Sequence, residues 1–132
     1  MKEGVYESLI RRMYHDFELG DPDLLRVVMG QDVVWHEPGR SSLAGDYKGP
    51  DAVLGFLAEL KARSGGTFKI EVLDVLSEPG RAVVLQRETA TRKGNALDVI
   101  AAVDFEIHHG QVTEVTVYQA DTYLFDEFWA DS

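Results

Sequence analysis

Three residues able to do chemistry stand side by side in this chain: Trp35, His36 and Glu37, in the stretch DVVWHEPGRSSLAGDYKGPDAV at residues 32–53. A carboxyl group at the end of a strand and facing an apolar cavity has its pKa raised by desolvation, so it can exchange protons near neutrality. An imidazole carries protons in the same range. An indole supplies a broad apolar wall and one N–H donor. Alternation along a strand divides the row, with Trp35 and Glu37 on one face and His36 on the other. Glu37 is then the candidate general acid or base, its alternative being a solvated acid at a strand end. His36 either assists Glu37 or turns away to hold the following loop or a subunit interface. Trp35 is expected as core or pocket wall. Asp121, where the last strand meets the tail, either caps the C-terminal segment or assists at the pocket mouth.

Other chemistries lack their residues. The chain has no cysteine, which excludes disulfides and thiolate metal sites. No HExxH-type pair of histidines falls at helical spacing, so no metal is expected. GRSSLAG at 39–45 lacks the lysine of a phosphate-binding loop and is expected instead to form a mobile lip over a pocket, with Gly39, Gly45 and Gly49 supplying turns. His108 and His109 flank a turn at Gly110 and are expected to be exposed.

The elements that must position these groups are legible in outline. Val5, Tyr6, Leu9, Ile10, Met13, Tyr14 and Phe17 fall at three- and four-residue spacings and predict an amphipathic helix ending at Gly20. Asp21-Pro22 opens a short second helix that stops at Gly30, and Pro50-Asp51 opens a third. Residues 31–37 form a short strand, and 38–50 a Gly/Pro/Ser loop. In the second half the pattern changes to strands: TFKIEVLDVLS, then RAVVLQRETAT and ALDVIAAVDFEI across a turn at 92–95, then VTEVTVYQAD after the HHGQ turn. The tail TYLFDEFWADS is aromatic and folds back over something apolar. Three helices followed by strands make an α+β arrangement in one domain, residues 1–132.

ELGDPDLL, VVWHEPGRSSLAGDYKGPDAV, HHGQVTEVTVYQAD and the closing DEFWA together resemble the nuclear transport factor 2-like superfamily, in its SnoaL-like and ketosteroid-isomerase-like branch. The resemblance implies a cystatin-like cone: a curved antiparallel sheet wraps three N-terminal helices, a pocket opens between them, and the convex face makes a homodimer. Members include isomerases, polyketide cyclases, dehydratases, epoxide hydrolases and non-catalytic binding modules. In an ungapped alignment Glu37 takes the place of the isomerases' general base. Their helix-1 tyrosine falls on Met13, with Tyr14 about 100° away, and their protonated acid falls on Val103, with Asp104 on the opposite face. Steroid isomerisation is therefore not expected.

The same register, extended to the sheet, turns Leu97, Val99, Ala101, Val103 and Phe105 toward the concave side, with Val84, Gln86, Glu88, Val117, Gln119 and Asp121. Of Gln86 and Glu88, only one is expected to reach the cavity. Trp35, Tyr14, Met13, Gln86, Glu88, Val103 and Gln119 are the expected ligand contacts, and the cavity is mostly aliphatic and aromatic.

Charge bounds the partners. Asp and Glu number 23 against 13 Lys and Arg, a net charge of −10. Without a dense basic stripe no nucleic-acid partner is expected, and an acidic surface disfavours anionic membranes. The pairs Arg11-Arg12 and Arg92-Lys93 are expected to be solvated. The first residues carry acids and arginines throughout, so neither a signal peptide nor an anchor is expected, and the absence of cysteine fits the cytoplasm. What remains is a cofactor-free protein with a pocket for a small neutral or apolar organic molecule. It is either an isomerase, cyclase, dehydratase or hydrolase working through Glu37, or a binding or dimerisation module without turnover.

Overall fold

In the computed structural model, described here for residues 4–130, four helices pack with one six-stranded curved sheet in an α+β fold. The chain runs through helices α1 (Val5–Leu19) and α2 (Pro22–Val28), strands β1 (Met29–Glu37) and β2 (Gly45–Lys48), and helix α3 (Pro50–Arg63). Strands β3 (Lys69–Glu78), β4 (Arg81–Arg92), β5 (Asn95–His108) and β6 (Gln111–Gln119) follow, and helix α4 (Thr122–Trp129) closes the chain. The sheet order is β2-β1-β6-β5-β4-β3. Four pairings are antiparallel and one, β1 with β6, is parallel.

The local chemistry explains the boundaries. Gly20, at φ 73°, ends α1 in the left-handed conformation that a side chain disfavours, and its N–H returns to the Asp16 and Phe17 carbonyls. Asp21 caps α2, accepting from the Asp23 and Leu24 amides, with Pro22 in the first turn. Arg92 and Asn95 pair across the long hairpin turn, in the register expected of it. Register shifts between Val72 and Asp74 on β3, and between Glu106 and Ile107 on β5, locally bend the sheet.

Three expectations are corrected. The Gly/Pro/Ser loop contains a strand: β2 pairs antiparallel with the end of β1, Glu37 lying opposite Gly45. The lip before it is fastened, because the Asp126 carboxylate of α4 accepts from the Arg40 and Ser41 amides at 3.0 and 3.4 Å. Gly39 is required there: at φ 101°, a Cβ would lie 2.1 Å from Asp126 Oδ1. The tail does fold over an apolar surface, as expected, and it does so as helix α4, which buries Phe125, Phe128 and Trp129. Arg92, expected in solvent, donates to the carbonyls of Phe128 and Ala130 and so anchors the end of that helix.

The core lies between the concave face of the sheet and the helices. Leu97, Val99, Ala101, Val103, Phe105 and Ile107 of β5 alternate into it, and Val112, Val115 and Val117 of β6 join them across a register shift. At ~25 cal/mol per Å² of apolar surface, each fully buried side chain of this kind contributes about 1.5–3 kcal/mol. No helix among the described residues is long and apolar enough to cross a membrane.

Candidate functional site

A cavity of about 50 Å³ lies between α1, α3 and the concave sheet. On this measure one water needs ~10–15 Å³, so it holds a few waters or a slender ligand without rearrangement. Its walls are largely rings: Tyr14 and Phe17 of α1, Trp35 of β1, Phe56 of α3, Phe68, Phe105 of β5 and Phe125 of α4. Trp35 and Tyr47 both stack obliquely on Phe56, at 5.6 and 4.6 Å between centroids. Tyr14 meets Phe105 edge-on at 6.0 Å. Three polar side chains line these walls besides the Tyr14 hydroxyl and the Trp35 N–H: Glu37, Gln86 and Glu88.

Glu37 is 8% exposed and shares its strand face with Trp35. The Trp35 Nε1–H donates to Glu37 Oε1 at 2.9 Å. Among the described residues no other side chain hydrogen-bonds this carboxyl group, which leaves Oε2 for a ligand. Burial pushes its pKa up to about 8, against the Trp35 hydrogen bond, and the nearby Glu88 pushes in the same direction as burial. At neutral pH Glu37 is therefore mostly a neutral acid.

A second polar group is built on β4. Gln86 and Glu88 are both buried and both line the cavity, where only one was expected; they sit two residues apart, so one register carries both inward. The Tyr14 hydroxyl donates to Gln86 Oε1 at 2.5 Å, and Gln86 Nε2 donates to Glu88 Oε2 at 2.7 Å. Gln119 Nε2 donates to Glu88 Oε1 at 3.2 Å, reaching past Ala101, the small residue that pairs with both glutamines. Every donor in this network points toward Glu88. Burial raises the Glu88 pKa while the two amides lower it. Burial, and then the charge of Glu88, raise Tyr14 well above the usual phenol range, so it stays protonated.

Met13 and Val103 line the cavity as apolar wall. Tyr14 lines it too, as expected, although it lies about 100° round the helix from Met13: a helix lying across a concave sheet presents two adjacent positions on either side of its line of contact. The remaining candidates lie elsewhere. His36 points from the opposite sheet face, its Nδ1 2.7 Å from Asp46 and its Nε2 2.6 Å from Glu114. It thereby ties β2, β1 and β6 together, its pKa raised first by Asp46 and then by Glu114. Asp121 is the N-cap of α4, exposed, and accepts from the Leu124 amide at 3.0 Å. A role for either in proton transfer with Glu37 has no geometric basis here. Among the described residues no three His, Asp or Glu side chains converge as a metal site.

Sequence reasoning did not find Phe56, Phe68 or Phe125 as walls. Phe56 repeats with Leu60 on α3 and Phe125 with Trp129 on α4, spacings that mark inward faces without saying which cavity they meet.

Comparison with known proteins places this geometry. The SnoaL-like domain family matches residues 10–115. An uncharacterized protein of Mycobacterium tuberculosis is 32% identical over 124 residues, covering 93% of this chain and 95% of that one. Among solved structures, Bal32a from a soil-derived mobile gene cassette is 39% identical, with a TM-score of 0.90 over 92% of this chain and 94% of its own. An NTF2-like protein of Burkholderia xenovorans shares the fold at 20% identity and a TM-score of 0.79, covering 92% of this chain and 93% of that one.

Proposed function

This chain belongs to the SnoaL-like domain family, and from that premise we propose that it is a cofactor-free acid–base catalyst acting on a small, largely apolar molecule, with Glu37 as proton carrier. One observation carries the reading: a buried carboxyl group, titrating near pH 8, lines a cavity walled by aromatic rings. A carboxyl group tuned close to ambient pH can both give and regain a proton, which is the requirement for general acid–base work.

The hydrogen-bond directions narrow the chemistry. The Tyr14 hydroxyl donates to Gln86 and Gln86 Nε2 donates to Glu88, so these two hydrogen bonds are not aimed at a developing oxyanion. Rings and a second carboxyl group instead favour a centre on which positive charge develops. This supports acid-initiated steps, in which neutral Glu37 protonates a leaving hydroxyl, an epoxide or an alkene and the Trp35 N–H then holds the carboxylate left behind. Dehydration, cyclisation or epoxide opening fit better than an enolate isomerisation.

The second reading is a binding module without turnover, and the small cavity volume favours it. On the convex face the exposed side chains of Leu85, Ile100 and Tyr118 support pairing of two copies of the chain. The test of catalysis is a screen of fractionated metabolites for compounds that raise the melting temperature, followed by mass analysis for products. Consumption by the native chain that stops in Glu37→Gln supports catalysis. Equal consumption in the variant removes Glu37 from the mechanism, and binding without product supports the module.

A further inference from the structure

A wider groove of about 520 Å³ adjoins the cavity, and Tyr14, Phe17, Phe68 and Ile70 line both. The two differ in charge. The cavity is lined by two carboxyl groups and by no Lys, Arg or His. The groove is lined by Arg11, His15, Lys61 and Lys69, with Glu18 as its one acid, in a chain whose acids outnumber its bases 23 to 13.

Two of these bases are held in place. Lys61 Nζ donates to the Phe17 carbonyl at 2.6 Å and lies 4.3 Å above the Phe17 ring, which lines both groove and cavity. Arg11 Nε is fixed by Glu7, one turn back on α1, at 2.8 Å. An ammonium has three donors, so the one bond from Lys61 still leaves N–H groups for a further acceptor. Lys69 is exposed at the start of β3, and His15 lies one turn from Arg11 on α1.

We infer that the natural ligand is an amphipathic oxyanion that enters uncharged end first, its apolar part among the rings and its carboxylate or phosphate in the groove between Arg11, His15, Lys61 and Lys69. This rests on the reading of the cavity as the functional site and adds the class of molecule and its orientation. The reasoning is electrostatic complementarity at both ends. An anion buried in the cavity would lose its hydration with no Lys, Arg or His to offset the cost, whereas at the groove it meets several bases in partial contact with water. Residual charge of one sign on an oppositely charged surface also steers encounter, so the mouth selects anions that the rest of the surface repels.

The test uses four probes that share one slender chain: hexanoate, hexyl phosphate, hexan-1-ol and hexylammonium. Binding is followed by Trp35 fluorescence in the full chain at low salt. The two anions are expected to bind on the order of fivefold tighter than the alcohol, as a few part-exposed charge pairs allow. Raising salt should weaken the anions selectively. The comparison of carboxylate with phosphate shows which oxyanion the groove prefers. The double variant Arg11→Glu with Lys69→Glu should abolish the preference and leave hexan-1-ol unchanged. Equal binding of acid and alcohol, tighter binding of hexylammonium, or a preference that survives the double variant overturns the inference while leaving the cavity reading intact. If hexan-1-ol and hexanoate both leave Trp35 unperturbed, the cavity reading itself fails.

Discussion

The indole of Trp35 donates to the carboxyl group of Glu37 at 2.9 Å, from two positions earlier on the same face of β1. A fluorophore is thus bonded to the proposed proton carrier. Trp129, the only other tryptophan, lies fully buried in a cluster with Phe68, Phe125 and Phe128. Intrinsic fluorescence should therefore titrate with an inflection near pH 8. Glu37→Gln should remove that inflection. His36→Gln should leave it in place, because His36 bonds Asp46 and Glu114 on the other sheet face. Loss of the inflection in His36→Gln would show that the two faces are coupled, contrary to this assignment.

Burial of Glu37 carries a stability cost that depends on pH. Its folded pKa is raised from 4.5 to about 8, so between those values the folded chain holds a proton that the unfolded chain has lost. Stability must fall as pH rises through that window, by on the order of a few kcal/mol for this group. Glu88 is shifted in the same direction and adds to the slope. His36, also raised, contributes stability that is full below its unfolded pKa and lost as pH rises through its folded one. In urea unfolding from pH 5 to pH 9, Glu37→Gln should flatten the profile and exceed the native chain in stability at the alkaline end. An unchanged slope would mean that Glu37 is hydrated.

Tyr14 and Gln86 should couple strongly. Tyr14→Phe strips the donor from Gln86 Oε1 and leaves a buried amide oxygen unpaired, a loss of about 1–3 kcal/mol. Gln86→Leu likewise leaves the Tyr14 hydroxyl without its acceptor. The double variant should cost less than the two single ones combined, and additive losses would show that the hydrogen bond is not made in solution.

Asp126 should govern the lip. Its carboxylate receives the Arg40 and Ser41 amides, so Asp126→Ala is expected to speed hydrogen exchange at those two amides about tenfold, as loss of a ~1.4 kcal/mol hydrogen bond would. Exchange in the β4–β5 hairpin should stay as it is. Uniform acceleration across the chain would instead point to global destabilisation.

Much of this site was legible because strands alternate. Parity alone separated His36 from Trp35 and Glu37, and hairpin pairing through Arg92 and Asn95 carried Gln86, Glu88 and Val103 to the concave side. Parity reports the face a side chain takes and not the partner it finds. The chain of donors from Tyr14 to Glu88 depends on two separate elements meeting at hydrogen-bond distance, which no local pattern encodes. For the same reason Arg92 looked like a surface base, although its partners are carbonyls more than thirty residues away. β2 escaped notice because Gly45–Lys48 is four residues long, too short for an alternating pattern to register. Asp121 had two plausible uses, and the N–H groups of α4 claimed it.

The central claim is that Glu37 keeps its proton at neutral pH inside an apolar cavity. The most direct measurement is a titration of its side-chain carboxyl carbon by 13C NMR, assigned by comparison with Glu37→Gln. A midpoint near pH 8 is predicted. A midpoint near 4.5, the ordinary value for a glutamate in water, would contradict the account.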